Sequence, residues 1–102
     1  MKIFLDDKRD TPDGFIRCWW PDEVITILQK REPIEVLSLD HDLGDDSKGT
    51  GYTVLKWLEE QVFFDRNFPI PNTICIHSAN PVGRMNMEAA LCNIKKMIAN
   101  RD

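Results

Sequence analysis

Residues 1–7 read MKIFLDD, a short, almost wholly apolar run that stops at an acidic pair. A strand that is apolar at consecutive positions is buried on both faces and belongs at the centre of a parallel sheet. Downstream the pattern recurs. Residues 34–39 (IEVLSL) run into Asp40-His41-Asp42, and residues 73–76 (TICI) run into His77-Ser78-Ala79-Asn80. Stretches of helical periodicity separate these runs, so the chain reads as an α/β layer fold. The expected architecture is three-layered, with a mostly parallel sheet of about four strands and flanking helices.

The remaining elements follow from the same reading. Phe15 to Trp20 (FIRCWW) is rich in aromatic and branched residues and reads as a strand. Trp19 and Trp20 then point to opposite faces, both toward core packing. The polar stretch Asp7 to Gly14 that precedes this strand is too short for a crossover containing a helix. The second strand therefore returns parallel through an extended loop or pairs antiparallel at an edge, and the parallel arrangement is preferred. Pro21 opens a helix with Asp22 and Glu23 at its positive end, and Pro33 closes the segment. Residues 43–50 (LGDDSKGT) have the composition of an exposed loop. Thr50 caps a helix with apolar positions Val54, Leu55, Leu58 and Val62. Asn80-Pro81 starts the last helix, whose stripe is Met87, Ala90, Leu91, Ile94, Met97 and Ile98.

A length of 102 residues suits a single domain spanning 1–102. Hydrophobic residues at 42% and charged residues at 29% are the balance of a packed domain, not of a disordered chain. The net charge of −4 opposes generic binding to a duplex nucleic-acid backbone, while leaving room for a small nucleotide or RNA-end phosphate in a local pocket. No apolar run approaches the roughly 18 residues that span a bilayer. The start turns acidic after Leu5, unlike a signal peptide, so a cytoplasmic location is expected. Cys18, Cys75 and Cys92 are odd in number, widely spaced and set in apolar stretches, which reads as buried free thiols in a reducing compartment.

Chemistry concentrates at the strand ends. In open α/β sheets ligands bind beyond the carboxyl ends of the strands, where strand order reverses. The only two histidines, His41 and His77, both fall at such ends. Asp6, Asp7 and Asp40 are hard oxygen ligands, with Asp42 in support. Carboxylates converging from adjacent strands repel unless a divalent cation, Mg²⁺ or Mn²⁺, neutralises them. Single aspartates often follow strands as turn or cap residues, but a group drawn from two strand ends favours a metal. His41 and His77 suit general acid and base roles in phosphodiester cleavage, or else orient neighbouring carboxylates. Asp40 is counted with the metal ligands and also with His41 and His77 in the catalytic set. Ser78, Asn80, Arg9 and Arg84 are candidates to hold phosphate oxygens. Ser78 serves equally well as a turn or cap hydroxyl. Gly44, Gly49, Gly51 and Gly83 permit close backbone approach without forming a Walker or dinucleotide motif.

An acidic pair after strand one, an Asp after strand three and a small hydroxyl after strand four resemble the receiver domain of response regulators. In that comparison Asp6 and Asp7 match the metal-binding pair, Asp40 the phosphoacceptor and Ser78 the phosphate contact. More specifically, LDDKRDTP, SLDHDLG with the later GY, and HSANPVGRMNM resemble the cyclic-phosphate-processing receiver domains. The resemblance implies a reduced, receiver-like (flavodoxin-like) fold lacking the helix between strands one and two, the fifth strand and the following lysine. His41, His77, Asn80 and Asn86 have no role in a phosphoacceptor receiver. They imply a pocket reassigned to a phosphate ligand, with Asn86 joining the substrate-binding set. The expected activity is a metal-dependent phosphoesterase acting on a cyclic phosphate of a nucleotide or RNA end. Its alternatives are a non-catalytic phosphate- or nucleotide-binding module and a divergent phosphoacceptor receiver.

Overall fold

The computed structural model describes residues 1–100. Each strand forms on an apolar run and stops where polar residues begin. β1 (Lys2–Leu5), β2 (Ile16–Cys18), β3 (Val36–Leu39) and β4 (Thr73–Ile76) make one sheet in the order β2-β1-β3-β4. Every pair is parallel, so β1 is central and β2 takes the parallel arrangement. The helices are α1 (Pro21–Gln29), α2 (Gly51–Phe64) and α3 (Pro81–Ala99). Loop 43–50 is not wholly irregular, because Asp46–Lys48 form one 3₁₀ turn capped by Asp45. Beyond α1, Arg31 adopts a left-handed conformation (φ 59°) and its guanidinium pairs with Asp65 at 2.6 Å.

The strand order fixes the layering. From β2 to β3 and from β3 to β4 the chain moves in the same direction across the sheet. Right-handed crossovers therefore place α1 and α2 on the same face. Ile3, Leu5, Cys18, Leu37 and Leu39 point to that face. They form one core with Val24 and Leu28 of α1, Val54, Leu55 and Leu58 of α2, and Met87, Ala90 and Ile94 of α3. The β1–β2 connection runs the opposite way and holds no helix, so the expected third layer is made of loop instead. On that face Phe4 is buried by the edge of Phe15 (6.2 Å), the ring of His77 (4.7 Å) and the Arg17 guanidinium (5.7 Å).

Two expectations are corrected. β2 ends at Cys18, so Trp19 is not a core strand residue: it is 49% exposed and stacks on the Arg17 guanidinium at 4.1 Å. Trp20 does pack against the core. Of the cysteines only Cys18 is buried, and burial together with the Glu23 charge pushes its thiol up to about 11. Cys75 is exposed because it alternates with Ile74 and Ile76, which take the core side of β4. Cys92 lies on the outer side of α3, off the Met87–Ala90–Ile94 stripe.

Removing side chain from the core face of β3 has a large effect. Leu37→Ala is expected to cost about 2–5 kcal/mol in urea unfolding, because Leu37 is fully buried. Ile16→Ala, on the edge strand and 45% exposed, is expected to change stability by no more than about 0.5 kcal/mol. Equal losses at the two positions would contradict this layering.

Candidate functional site

β1 and β3 are neighbours from which the chain departs in opposite directions, so the crevice beyond their ends is where strand order reverses. Pairing continues one residue past each strand. The Asp40 N–H donates to the Leu5 carbonyl (3.0 Å) and the His77 N–H to the Leu39 carbonyl (3.0 Å). Strand alternation then sets Asp6, Asp40 and His77 side by side on the rim above Phe4 and Ser38. One ligand atom from each lies within 4.8 Å of the others. An open cleft of about 400 Å³ covers this rim, lined by Asp6, Asp7, Lys8, Arg9, Asp40, Asp42, Gly44 and Ala79.

Asp6 is fully buried, which alone would raise its pKa, yet its carboxyl is held below the usual range. The Lys8 and Arg9 N–H groups donate to Oδ1 at 2.8 and 3.1 Å. Arg9 Nη1 and His77 Nε2 donate to Oδ2 at 3.1 and 2.9 Å. Asp40 shifts the other way, raised by burial and by the charge of Asp6. Opposite shifts in adjacent carboxyls are the electrostatic signature of acids crowded around too little positive charge.

The histidines differ in their freedom. His77 is stacked flat on Phe4, with an interplanar angle of 4°. A carboxylate only accepts, so His77 Nε2 carries the hydrogen that reaches Asp6. In the neutral ring Nδ1 then accepts from the Ser38 hydroxyl at 2.7 Å. Burial lowers the His77 pKa and favours that neutral form. Both nitrogens are thus engaged. His41 donates Nδ1–H to Asp42 Oδ1 at 2.8 Å, and this bond holds the Asp42 carboxyl low. Among the described residues no hydrogen-bond partner holds His41 Nε2, and it is not a buried unpaired atom.

The other candidates separate into groups. Asn80 caps α3 through Oδ1, accepting from Gly83 N–H at 3.0 Å, while its Nδ2 donates to Asp42 at 3.3 Å. Ser78 is buried, and its hydroxyl accepts the Asn80 N–H at 3.1 Å, which is the turn role. Arg84 pairs with Glu88 at 2.9 Å on the outside of α3, and Asn86 is exposed on that helix. Neither lines the cleft, nor do His41, His77, Ser78 and Asn80, although His41 and Asn80 bond to its Asp42 and His77 to its Asp6. Two glycines set the helices against the site. A Cβ at Gly51 would lie 2.0 Å from the Asp40 carbonyl oxygen, and one at Gly83 would lie 2.4 Å from the His41 ring.

Sequence reasoning passed over Ser38, Phe4 and Arg17. Ser38 and Phe4 hold the His77 ring, and Arg17 Nη1 donates to the Arg9 carbonyl and to Thr11 Oγ1. The available signal was parity: Ser38 is the one polar residue of VLSL and lies two positions before Asp40, on the same face.

The composition fits the oxygen donors that a hard divalent ion takes, since Asp6 and Asp40 converge there and the charge of Asp40 is the one left undercompensated. The two acids respond oppositely to pH. The lowered Asp6 contributes stability above the unfolded carboxylate pKa and loses it as pH falls through the folded value. The raised Asp40 contributes below the unfolded pKa and loses that as pH rises through its folded value. In chelator-treated protein at neutral pH, Asp40→Asn is expected to raise the thermal midpoint and Asp6→Asn to lower it. Calorimetry should show about 4–8 °C for each kcal/mol. Midpoints moving in the same direction would contradict these assignments.

The sequence profile of the family described as Cyclic-phosphate processing Receiver domain matches residues 1–93, from β1 through most of α3. No curated protein and no solved structure matches the chain. The profile spans all four strands and every residue that lines the cleft. On that extent of match, with the all-parallel four-stranded sheet it accompanies, the chain belongs to the cyclic-phosphate processing receiver domain family.

Proposed function

We propose that the domain is a metal-dependent phosphoesterase that opens the cyclic phosphate of a nucleotide or RNA end. One observation carries the reading. Asp6 and Asp40 converge in the β1–β3 crevice of a family associated with cyclic-phosphate processing, in a cleft that also presents Arg9. Asp6 and Asp40 would hold the cation, Mg²⁺ or Mn²⁺, with Asp7 and Asp42 adding negative charge from the cleft wall. A bound divalent ion supplies charge neutralisation for the phosphate and for the transition state of attack at phosphorus. His77, with both nitrogens engaged, orients Asp6.

Proton transfer then falls to His41, which is bonded to Asp42 of the cleft lining. Its Nδ1–H is held by Asp42, leaving Nε2 as the acceptor in the neutral ring, the arrangement of an oriented general base. Water loses a proton to Nε2 as its oxygen bonds to phosphorus. The bond from phosphorus to the departing ribose oxygen breaks, and that oxygen takes a proton from solvent in the open cleft. The product is a phosphomonoester. Arg9 is the cleft guanidinium suited to phosphate oxygens.

A second reading has its own support. The saturated nitrogens of His77 remove one of two candidate proton carriers, which favours a module that binds a phosphate ligand without cleaving it. Incubation with Mg²⁺ or Mn²⁺ and a panel of cyclic nucleotides and cyclic-phosphate RNA ends separates the two. The enzyme reading expects a monoester product and a loss of about 10²–10⁴-fold in His41→Ala. Intact ligand with retained thermal stabilisation would establish the binding module instead, and turnover unchanged in His41→Ala would remove His41 from the mechanism.

A further inference from the structure

One nitrogen, Nη1 of Arg9, stands where the acidic nest converges. It lies 3.1 Å from Asp6 Oδ2, 3.8 Å from Asp40 Oδ2 and 2.8 Å from the His77 carbonyl oxygen. These oxygens come from the ends of three adjacent strands, β1, β3 and β4. Lys8 also lines the cleft, yet it meets Asp6 only through its backbone N–H. The guanidinium is thus the positive charge that this arrangement of acids has in hand.

The same oxygens face any cation that enters the β1–β3 crevice. Two positive centres cannot share one pair of carboxylate oxygens at contact distance without strong repulsion. Metal entry is therefore an exchange with Arg9. The exchange is local, because the backbone of Arg9 is anchored separately from its side chain. Its N–H donates to Asp6 Oδ1 at 3.1 Å, and its carbonyl accepts from Arg17, which is itself stacked on Trp19. The side chain is 49% exposed, so it reaches solvent by breaking only the contacts of Nη1. A displaced guanidinium on a fixed backbone stays within one side-chain length of the cleft.

We propose that Arg9 is a tethered cation that fills the acidic nest in the metal-free protein, yields it to a divalent ion, and is thereby released to pair with phosphate in the same cleft. This rests on the metal and phosphate reading above. It assigns Arg9 two partners in sequence, carboxylate and then phosphate, both of which suit a forked guanidinium.

Calorimetric titration with Mn²⁺ alone tests the first half, using wild type, Arg9→Gln and Arg9→Lys. Removing the competing charge is expected to tighten Mn²⁺ binding by about tenfold or more, equivalent to about 1.4 kcal/mol. Arg9→Lys, which keeps the charge, stays near wild type. Equal or weaker binding in folded Arg9→Gln overturns the proposal while leaving the metal reading standing. Absence of Mn²⁺ binding in all three proteins overturns both. The wild-type chain gives an independent measure that requires no variant to fold. Saturation with Mg²⁺ should shift the Arg9 Nη1–H resonances toward a solvent-exposed value, and unmoved resonances overturn the exchange. For the second half, inorganic phosphate is titrated at saturating Mn²⁺. Binding weaker in Arg9→Gln than in wild type is expected, and equal binding overturns the phosphate role.

Discussion

Two carboxylates that leave neighbouring strands for the same crevice repel each other, and burial makes the repulsion worse. Asp6 and Asp40 are in this position, the first wholly buried and the second nearly so. Much of the surrounding structure is the answer to that problem. The backbone of Lys8 and Arg9 turns its N–H groups onto Asp6, Arg9 reaches back between the two acids, and His77 lies down on Phe4 to reach Asp6 with Nε2. Truncating one partner of such a network leaves a buried charge exposed to its rivals, which is why these groups behave as a unit.

The helices contribute to the same electrostatics. Gly51 lets the first turn of α2 close onto the Asp40 backbone, and its N–H donates to the His41 carbonyl at 3.2 Å. Gly83 lets α3 begin against the His41 ring, under the Asn80 cap. Two positive helix ends therefore approach the acidic rim from the core side, where they partly offset its charge. The division between the histidines follows from position. His77 extends β4 on the face above Ser38 and is clamped. His41 is held by Asp42 and keeps one nitrogen unpartnered among the described residues.

Much of this was legible in the sequence. The apolar run of β1 pointed to a central strand, the short β1–β2 connection pointed to a helix-free crossover, and the acids at strand ends pointed to the cleft. What escaped was governed by tertiary geometry. MKIFL reads as buried on both sides, which holds for Ile3, Phe4 and Leu5, but Phe4 is covered by Phe15, Arg17 and a histidine distant in sequence, not by a helix. Cys75 sits in an apolar string, but β4 is an edge strand whose alternate residues face outward. Arg84 and Asn86 are close to the motif in sequence, but the turn of α3 carries them away from the cleft. The proximity of Arg9 to both acids depends on the path of loop 6–15, which no periodicity encodes.

The order of strands also bears on how the chain reaches its native state. β1 precedes the other strands along the chain, yet its ladder to β3 joins residues more than thirty positions apart in the sequence. Parallel pairing of this kind closes a long loop before any hydrogen bond rewards it, so it forms slowly and late. The nest joins β1, β3 and β4, so Asp6 and Asp40 meet when β3 pairs with β1, and His77 joins them only when β4 docks. Completion of the pocket in this way waits on the same non-local pairing that slows the fold.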